Sequence, residues 1–183
     1  MISRDSTLID VAFQVCTALA HAGYTAVMTG GSAATFHAPR AYVSDDIDFV
    51  LTLSSTGGEQ ALEALGYKRK RDFYVHPQSR FPLEFPPGPL AIGEDLVKTW
   101  KTVKRRREVL HVLSATDSCR DRLASFLFWN DFNGLEQALE VCRAQGRKVN
   151  LQLVRKWCIR EGQGEKCDLF LQRLRLKGRR RKR

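Results

Sequence analysis

One short stretch restricts this 183-residue chain more than any other. Met28-Thr-Gly-Gly-Ser-Ala33 closes an apolar run, and after a gap the size of a short helix comes Asp46-Ile-Asp48-Phe-Val-Leu51. Residues i and i+2 of a β-strand point to the same face. Asp46 and Asp48 are therefore expected side by side, at the start of a strand whose other members, Ile47, Phe49, Val50 and Leu51, are apolar. Two adjacent carboxylates repel each other and lose solvation. A divalent cation, Mg²⁺ above all, removes that conflict, because hard oxygen ligands suit it and phosphates complete its shell. Gly30, Gly31 and Ser32 supply the other half: close backbone approach and free N–H groups at a helix N-terminus. Together the two pieces read as a site for a metal-bound nucleoside triphosphate. Singly, each has a plainer reading, since Gly-Gly-Ser makes ordinary strand-to-helix turns and Asp-x-Asp is common on surface loops. Strand, turn, helix and then acids on a strand too apolar for a loop favour the site.

The surrounding periodicities mix helix and strand. Residues 6–22 place Leu8, Val11, Ala12, Val15 and Leu19 at helical spacing, with Ser6 as cap and Gly23 as stop. Strands are expected at 24–29, 46–53, 67–76, 80–85 and 109–113, and short helices at 32–37 and 59–65. Residues 88–106, with Gly88, Pro89, Gly93 and a basic run, show no period. Thr116 or Asp117 then caps a helix to about Trp129, followed by helices near 132–144, 150–161 and 165–176. The layout is α+β: an α/β core over 1–115, a helical part over 116–177 packed on it, and a basic tail at 178–183.

These residues carry a resemblance. Gly30, Gly31, Ser32, Asp46 and Asp48, with the later segment Asp121-Arg-Leu-Ala-Ser-Phe-Leu-Phe-Trp-Asn-Asp131, resemble the DNA polymerase β-type nucleotidyltransferase superfamily. In particular they look like the small prokaryotic members related to the AbiEii and MNT proteins of toxin–antitoxin systems. The likeness spans about residues 24–135. It implies a mixed sheet flanked by helices and followed by a helical part. It also implies a third carboxylate from a strand beside the acid strand, and Glu84, between Leu83 and Phe85, matches that position. On alternation alone, Glu84 is equally an exposed acid on a half-buried strand. The later segment is similar to a helical motif whose basic residue and downstream acid face the nucleotide; here these are Arg122, where a lysine is usual, and Asp131. Their plainer readings are a surface arginine and a helix stop. Trp129, among Phe126, Leu127 and Phe128, reads as core or as packing between the two parts.

The resemblance implies transfer of a nucleotide from a nucleoside triphosphate with two Mg²⁺ ions, held by Asp46, Asp48 and Glu84, the second ion activating the attacking hydroxyl. The acceptors it implies are an RNA 3′ end or a hydroxyl of a partner protein. Composition bears on that choice. Net charge is +10, concentrated at 68–71, 101–107 and 177–183, which favours a polyanionic partner. A cationic aminoglycoside acceptor calls for an acidic cleft, and the charge argues against it. Five cysteines without paired spacing, and no apolar run of membrane length, point to free thiols in the cytoplasm; the opening residues do not read as a signal peptide. The competing class is a non-catalytic nucleic-acid-binding or toxin-neutralising module on a degenerate nucleotidyltransferase fold. Degeneration removes acids, whereas Asp46, Asp48 and Glu84 are all present.

Overall fold

The structure is a computed structural model that describes residues 2–52 and 57–180, the side chains of 177–180 excepted. Helix α1 (Leu8–His21) starts at Thr7 rather than Ser6. The Thr7 hydroxyl accepts from the Asp10 N–H and the Asp10 carboxylate accepts from the Thr7 N–H, a capping box. Strand β1 (Ala26–Met28), helix α2 (Gly30–His37) and strand β2 (Ile47–Leu51) carry the two motifs. There follow α3 (Glu59–Ala64), β3 (Lys68–Lys70), β4 (Phe73–Val75), β5 (Leu83–Glu84), β6 (Ala91–Ile92), β7 (Asp95–Leu96), β8 (Lys101–Arg105) and β9 (Glu108–Val112). The chain then turns helical through α4 (Ala115–Trp129), α5 (Phe132–Gln145), α6 (Leu151–Arg160) and α7 (Gly164–Arg180).

Seven strands form one mixed sheet in the order β3-β4-β5-β2-β1-β9-β8, and β6 and β7 pair separately. β1 lies antiparallel to β2 and parallel to β9, and β2 lies parallel to β5. The two central strands are short and buried; β1 is buried at all three positions, as Ala26, Val27 and Met28 demand. The fold is thus α+β, a mixed sheet flanked by helices and followed by C-terminal helices. One hydrophobic cluster runs from Leu8 and Val11 of α1 through Met28, Phe49 and Leu110 of the sheet to Leu127, Trp157 and Phe170 of the last helices. All five cysteines are buried and unbonded. Among the described residues no helix is long and apolar enough to cross a membrane.

Four further expectations need correction. The strand at 67–76 is a hairpin, because Arg71 adopts a left-handed turn conformation (φ 58°) between β3 and β4. Residues 88–106 hold three strands: β6 and β7 have two residues each, and β8, Lys-Thr-Val-Lys-Arg, has one apolar residue and so shows no alternation. The cap of α4 is Ser114, which accepts from the Asp117 N–H. Where a solvated tail is expected, the backbone of α7 runs on through Arg180. Residues 181–183 lie outside the described part.

Candidate active site

The geometry starts at the β1–α2 turn. Thr29 donates its N–H to the Asp48 carbonyl (3.0 Å), which fastens the turn to β2. Gly30 opens α2 with φ +62°, a conformation that favours glycine. A Cβ on Gly30 would lie 2.0 Å from Asp48 Oδ2. The missing side chain is therefore what admits the Asp48 carboxylate against the helix N-terminus. The Ser32 hydroxyl is fully buried; it donates to the Thr29 carbonyl (2.7 Å) and accepts from the Asp48 N–H (3.3 Å). Its oxygen thus ties α2 to β2. Gly31 faces the loop before the acids, where a Cβ would meet Ser44 Oγ at 2.7 Å and the Tyr42 hydroxyl at 3.2 Å.

That loop sets Asp46. Ser44 donates its hydroxyl to Asp46 Oδ1 (3.0 Å) and its N–H to Thr35 Oγ1 on α2 (2.9 Å). Sequence reading gave Ser44 nothing beyond its position; the available signal was a hydroxyl two residues before the first acid. Glu84 arrives on β5, whose Cα register sets Glu84 opposite Asp48 and Leu83 opposite Ile47. Paired residues share a face, so Leu83 and Ile47 go to the core while Glu84 joins the acids. One carboxylate oxygen from each of Asp46, Asp48 and Glu84 lies within 4.8 Å of the others.

Electrostatics describe a strained cluster. Burial first, then the charges of Asp46 and Glu84, push the Asp48 carboxyl up to about 7; Arg122 pulls it down and Asp121 pushes it up. Glu84 is raised as well, by burial, by the charge of Asp46 and a hydrogen bond with it, and by Asp72. Three partly buried acids repel one another, and a cation among them would relieve that. Their all-oxygen donor set and spacing fit Mg²⁺.

Arg122 on α4 is near enough for its charge to act on Asp48. Its Nε donates to Asp121 Oδ2 at 3.1 Å and another guanidinium nitrogen reaches Gln137 Oε1 at 3.5 Å. Asp131 stands at the start of α5. It caps α5, accepting from the Asn133 N–H at 2.9 Å, directly after Asn130, which turns the chain in a left-handed conformation (φ 56°). No contact joins Asp131 to the carboxylates among the described residues. Trp129 is the clear reversal: it is 74% exposed, not core. It sits at the end of α4, and with Arg122, Ser125 and Phe128 it lines a cleft of about 360 Å³.

No protein-family model matches the chain, and no curated protein matches it in sequence. Among solved structures it aligns with the solution structure of the antibiotic-resistance factor ANT(2'')-Ia at 15% identity, over 96% of this chain and 93% of that one, with a TM-score of 0.45. It also aligns with the crystal structure of ANT(2'')-Ia in complex with adenylyl-2''-tobramycin, at 15% identity over 94% and 99%, with a TM-score of 0.44.

Proposed function

We propose that the protein is a metal-dependent nucleotidyltransferase of the polymerase β type, with a nucleoside triphosphate as donor and a hydroxyl as acceptor. The observation that carries this is the convergence of Asp46, Asp48 and Glu84 within 4.8 Å, beside the N-terminus of α2. In the reaction the acceptor oxygen bonds to the α-phosphorus, the bond from that phosphorus to the bridging oxygen breaks, and pyrophosphate leaves while the hydroxyl gives up its proton. Mg²⁺ at the three carboxylates supplies charge neutralisation for the triphosphate and acidifies the acceptor hydroxyl.

This chain's residues do the positioning. Asp46 and Asp48 hold the cation that accompanies the triphosphate, and Glu84 completes the set towards the acceptor. Ser44 fixes Asp46 through its hydroxyl. The first N–H groups of a helix have no intrahelical partner, so the N–H groups of Gly30, Gly31 and Ser32 are the donors for β/γ-phosphate oxygens. The Ser32 hydroxyl is committed to the fold, which leaves its N–H for that task. Arg122 answers the triphosphate charge from the helical side, with Asp121 as its holder, and Asp131 caps α5 through Oδ1. Residues 1–115 thus carry the acids, and residues 116–177 bring the cation to them.

The acceptor is an RNA 3′ end on this reading, with a partner-protein hydroxyl in a toxin–antitoxin pair as the alternative that the same assay separates. Unpaired buried thiols support a reducing, cytoplasmic setting. The test is incubation with each α-labelled triphosphate, Mg²⁺ and, in separate arms, total RNA, cell protein or an aminoglycoside. Label transferred to one acceptor, and lost in Asp48→Asn, is the expected result. No transfer in any arm, with Mg²⁺ and triphosphate still unbound at millimolar concentration, removes the enzyme reading.

A further inference from the structure

The register of the sheet lines up four residues across four strands. Asp48 on β2 faces Glu84 on β5, Glu84 faces Phe73 on β4, and Phe73 faces Lys70 on β3. Residues paired across strands share a face, and neighbouring strands lie about 4.8 Å apart. Phe73 therefore stands one strand beyond the third carboxylate, and Lys70 one strand beyond Phe73. The opposite face of the same strands is occupied differently: Tyr74 and Leu83 are buried there, and Arg69 pairs with Glu59 at 3.2 Å.

The site face of the hairpin is not spent on the core. Phe73 is 38% exposed and its neighbour on that face, Val75, is 36% exposed. Val75 pairs in register with Lys68, and Lys68 and Lys70 are both exposed, with no ion pair to hold either among the described residues. An exposed aromatic ring flanked by free lysines is the pattern that binds a single-stranded polynucleotide, one ring stacking a base and the cations following the phosphates. An acidic polypeptide would meet the lysines equally well but has no base to place on Phe73.

We infer that the β3–β4 hairpin is the acceptor track: a single-stranded nucleic acid lies across Lys68, Lys70 and Phe73 and brings its 3′ hydroxyl to Glu84. This rests on the transfer reading above and names the acceptor class. The strand order places the basic edge outside and the carboxylates inside. Asp72 at the hairpin turn adds a negative charge near Glu84.

The experiment uses the full chain, a fluorescent eight-nucleotide single-stranded RNA and polyglutamate of similar length, with anisotropy read over a range of salt. Expected are RNA binding at low salt, about tenfold loss in Phe73→Leu, which keeps apolar bulk but removes the stacking face, and a salt slope shallower by about 0.7 for each lysine changed in Lys68→Gln and Lys70→Gln. Circular dichroism confirms that each variant is folded, and the half-exposed positions chosen disturb no core packing. RNA binding that Phe73→Leu leaves intact, polyglutamate binding as tight as RNA, or no RNA binding at low salt each overturns the track. Mg²⁺–ATP binding to the wild-type protein is measured alongside. Its absence, with the RNA behaviour as expected, defeats the transfer reading and leaves the track standing.

Discussion

Gly30 and Gly31 are adjacent and do different work. At Gly30 an added Cβ meets Asp48 Oδ2, Cγ and Cβ, at 2.0, 2.8 and 3.3 Å, on a backbone already at φ +62°. Relief requires the Asp48 carboxylate to swing off its position, or the strand or the turn to move, and either takes the carboxylate out of the site. Gly30→Ala is expected to abolish divalent-cation binding and to cost about 1–2 kcal/mol of stability for the left-handed conformation alone. At Gly31 the nearest atoms are the ends of Ser44 and Tyr42, which can rotate. Gly31→Ala is expected to fold nearly as well as wild type. Thermal melts with and without Mn²⁺ check both, and a normal cation-dependent shift in Gly30→Ala would refute the close-approach account. Glu84 stood out only through the resemblance, whereas Asp46 and Asp48 were legible in the sequence because a period of two needs only local spacing. The reason for Gly30 was not, because its partner lies across a strand pair.

The Asp48 carboxyl also makes a pH prediction for the metal-free protein. Its folded value of about 7 lies above the ordinary 3.8. Between those values the unfolded chain has released the proton and the folded chain still holds it, so stability falls as pH rises through the window and returns as pH falls. The full effect is of order 4 kcal/mol, and Glu84 adds in the same direction. Urea unfolding in EDTA should show the wild type losing stability from pH 4 to 7, with Asp48→Asn flatter and more stable at pH 8. Mg²⁺ at pH 8 should stabilise the wild type and not the variant. A wild type as stable at pH 8 as at pH 4 would count against a strained carboxylate cluster.

At the scale of elements, the loop between α2 and β2 shows what sequence pattern can and cannot give. Helix α2 and strand β2 were legible from their apolar runs. How the loop holds Asp46 was not, because Thr35 and Ser44 are nine residues apart and meet only once α2 has formed. Thr35 Oγ1 accepts the buried Ser44 N–H and donates to the Gly31 carbonyl at 3.0 Å. Thr35→Val keeps the shape and leaves that N–H unpaired, a loss of about 1–3 kcal/mol. Ser44→Ala keeps the N–H bond and removes only the hydroxyl on Asp46, so stability should change by less than about 1 kcal/mol while Mn²⁺ affinity falls roughly tenfold. Calorimetric titration and chemical denaturation separate the two effects; equal losses in both quantities for both variants would show that the loop acts only as structure. The hairpin failed in the other direction. A single basic strand at 67–76 fits the apolar markers, and only the left-handed turn at Arg71 and Asp72 divides it. Trp129 failed because composition around a tryptophan says nothing of which side the helix end presents.

For the whole molecule, the question is how the helical part is held to the sheet part. Arg120 on α4 has only 6% of its side chain exposed and bonds Asp95 Oδ2 on β7 at 2.6 Å and Asp117 Oδ1 at 3.0 Å. Arg160 on α6 reaches the same Asp95 oxygen at 2.5 Å, and the Arg120 guanidinium lies 4.9 Å from the Trp157 ring centroid. One buried cation thereby links the β6–β7 pair, α4 and α6, while the apolar cluster is continuous through the same region. The sequence showed the pattern turning helical near residue 115; it could not show that a residue in the stretch 88–106, which has no period, anchors the helices. Arg120→Ala removes the cation from two acids and from the indole face, and loss of one partner of a buried pair costs about 3 kcal/mol or more. Arg120→Met, which fills the volume, should recover part of that loss, because the stem packs as well as pairs. Unfolding monitored by tryptophan fluorescence and by far-ultraviolet circular dichroism should shift together in one transition for both variants, since a shared core couples the two parts. A separate early transition of the helical part, with the sheet part melting where the wild type does, would show instead that Arg120 joins two units that fold independently.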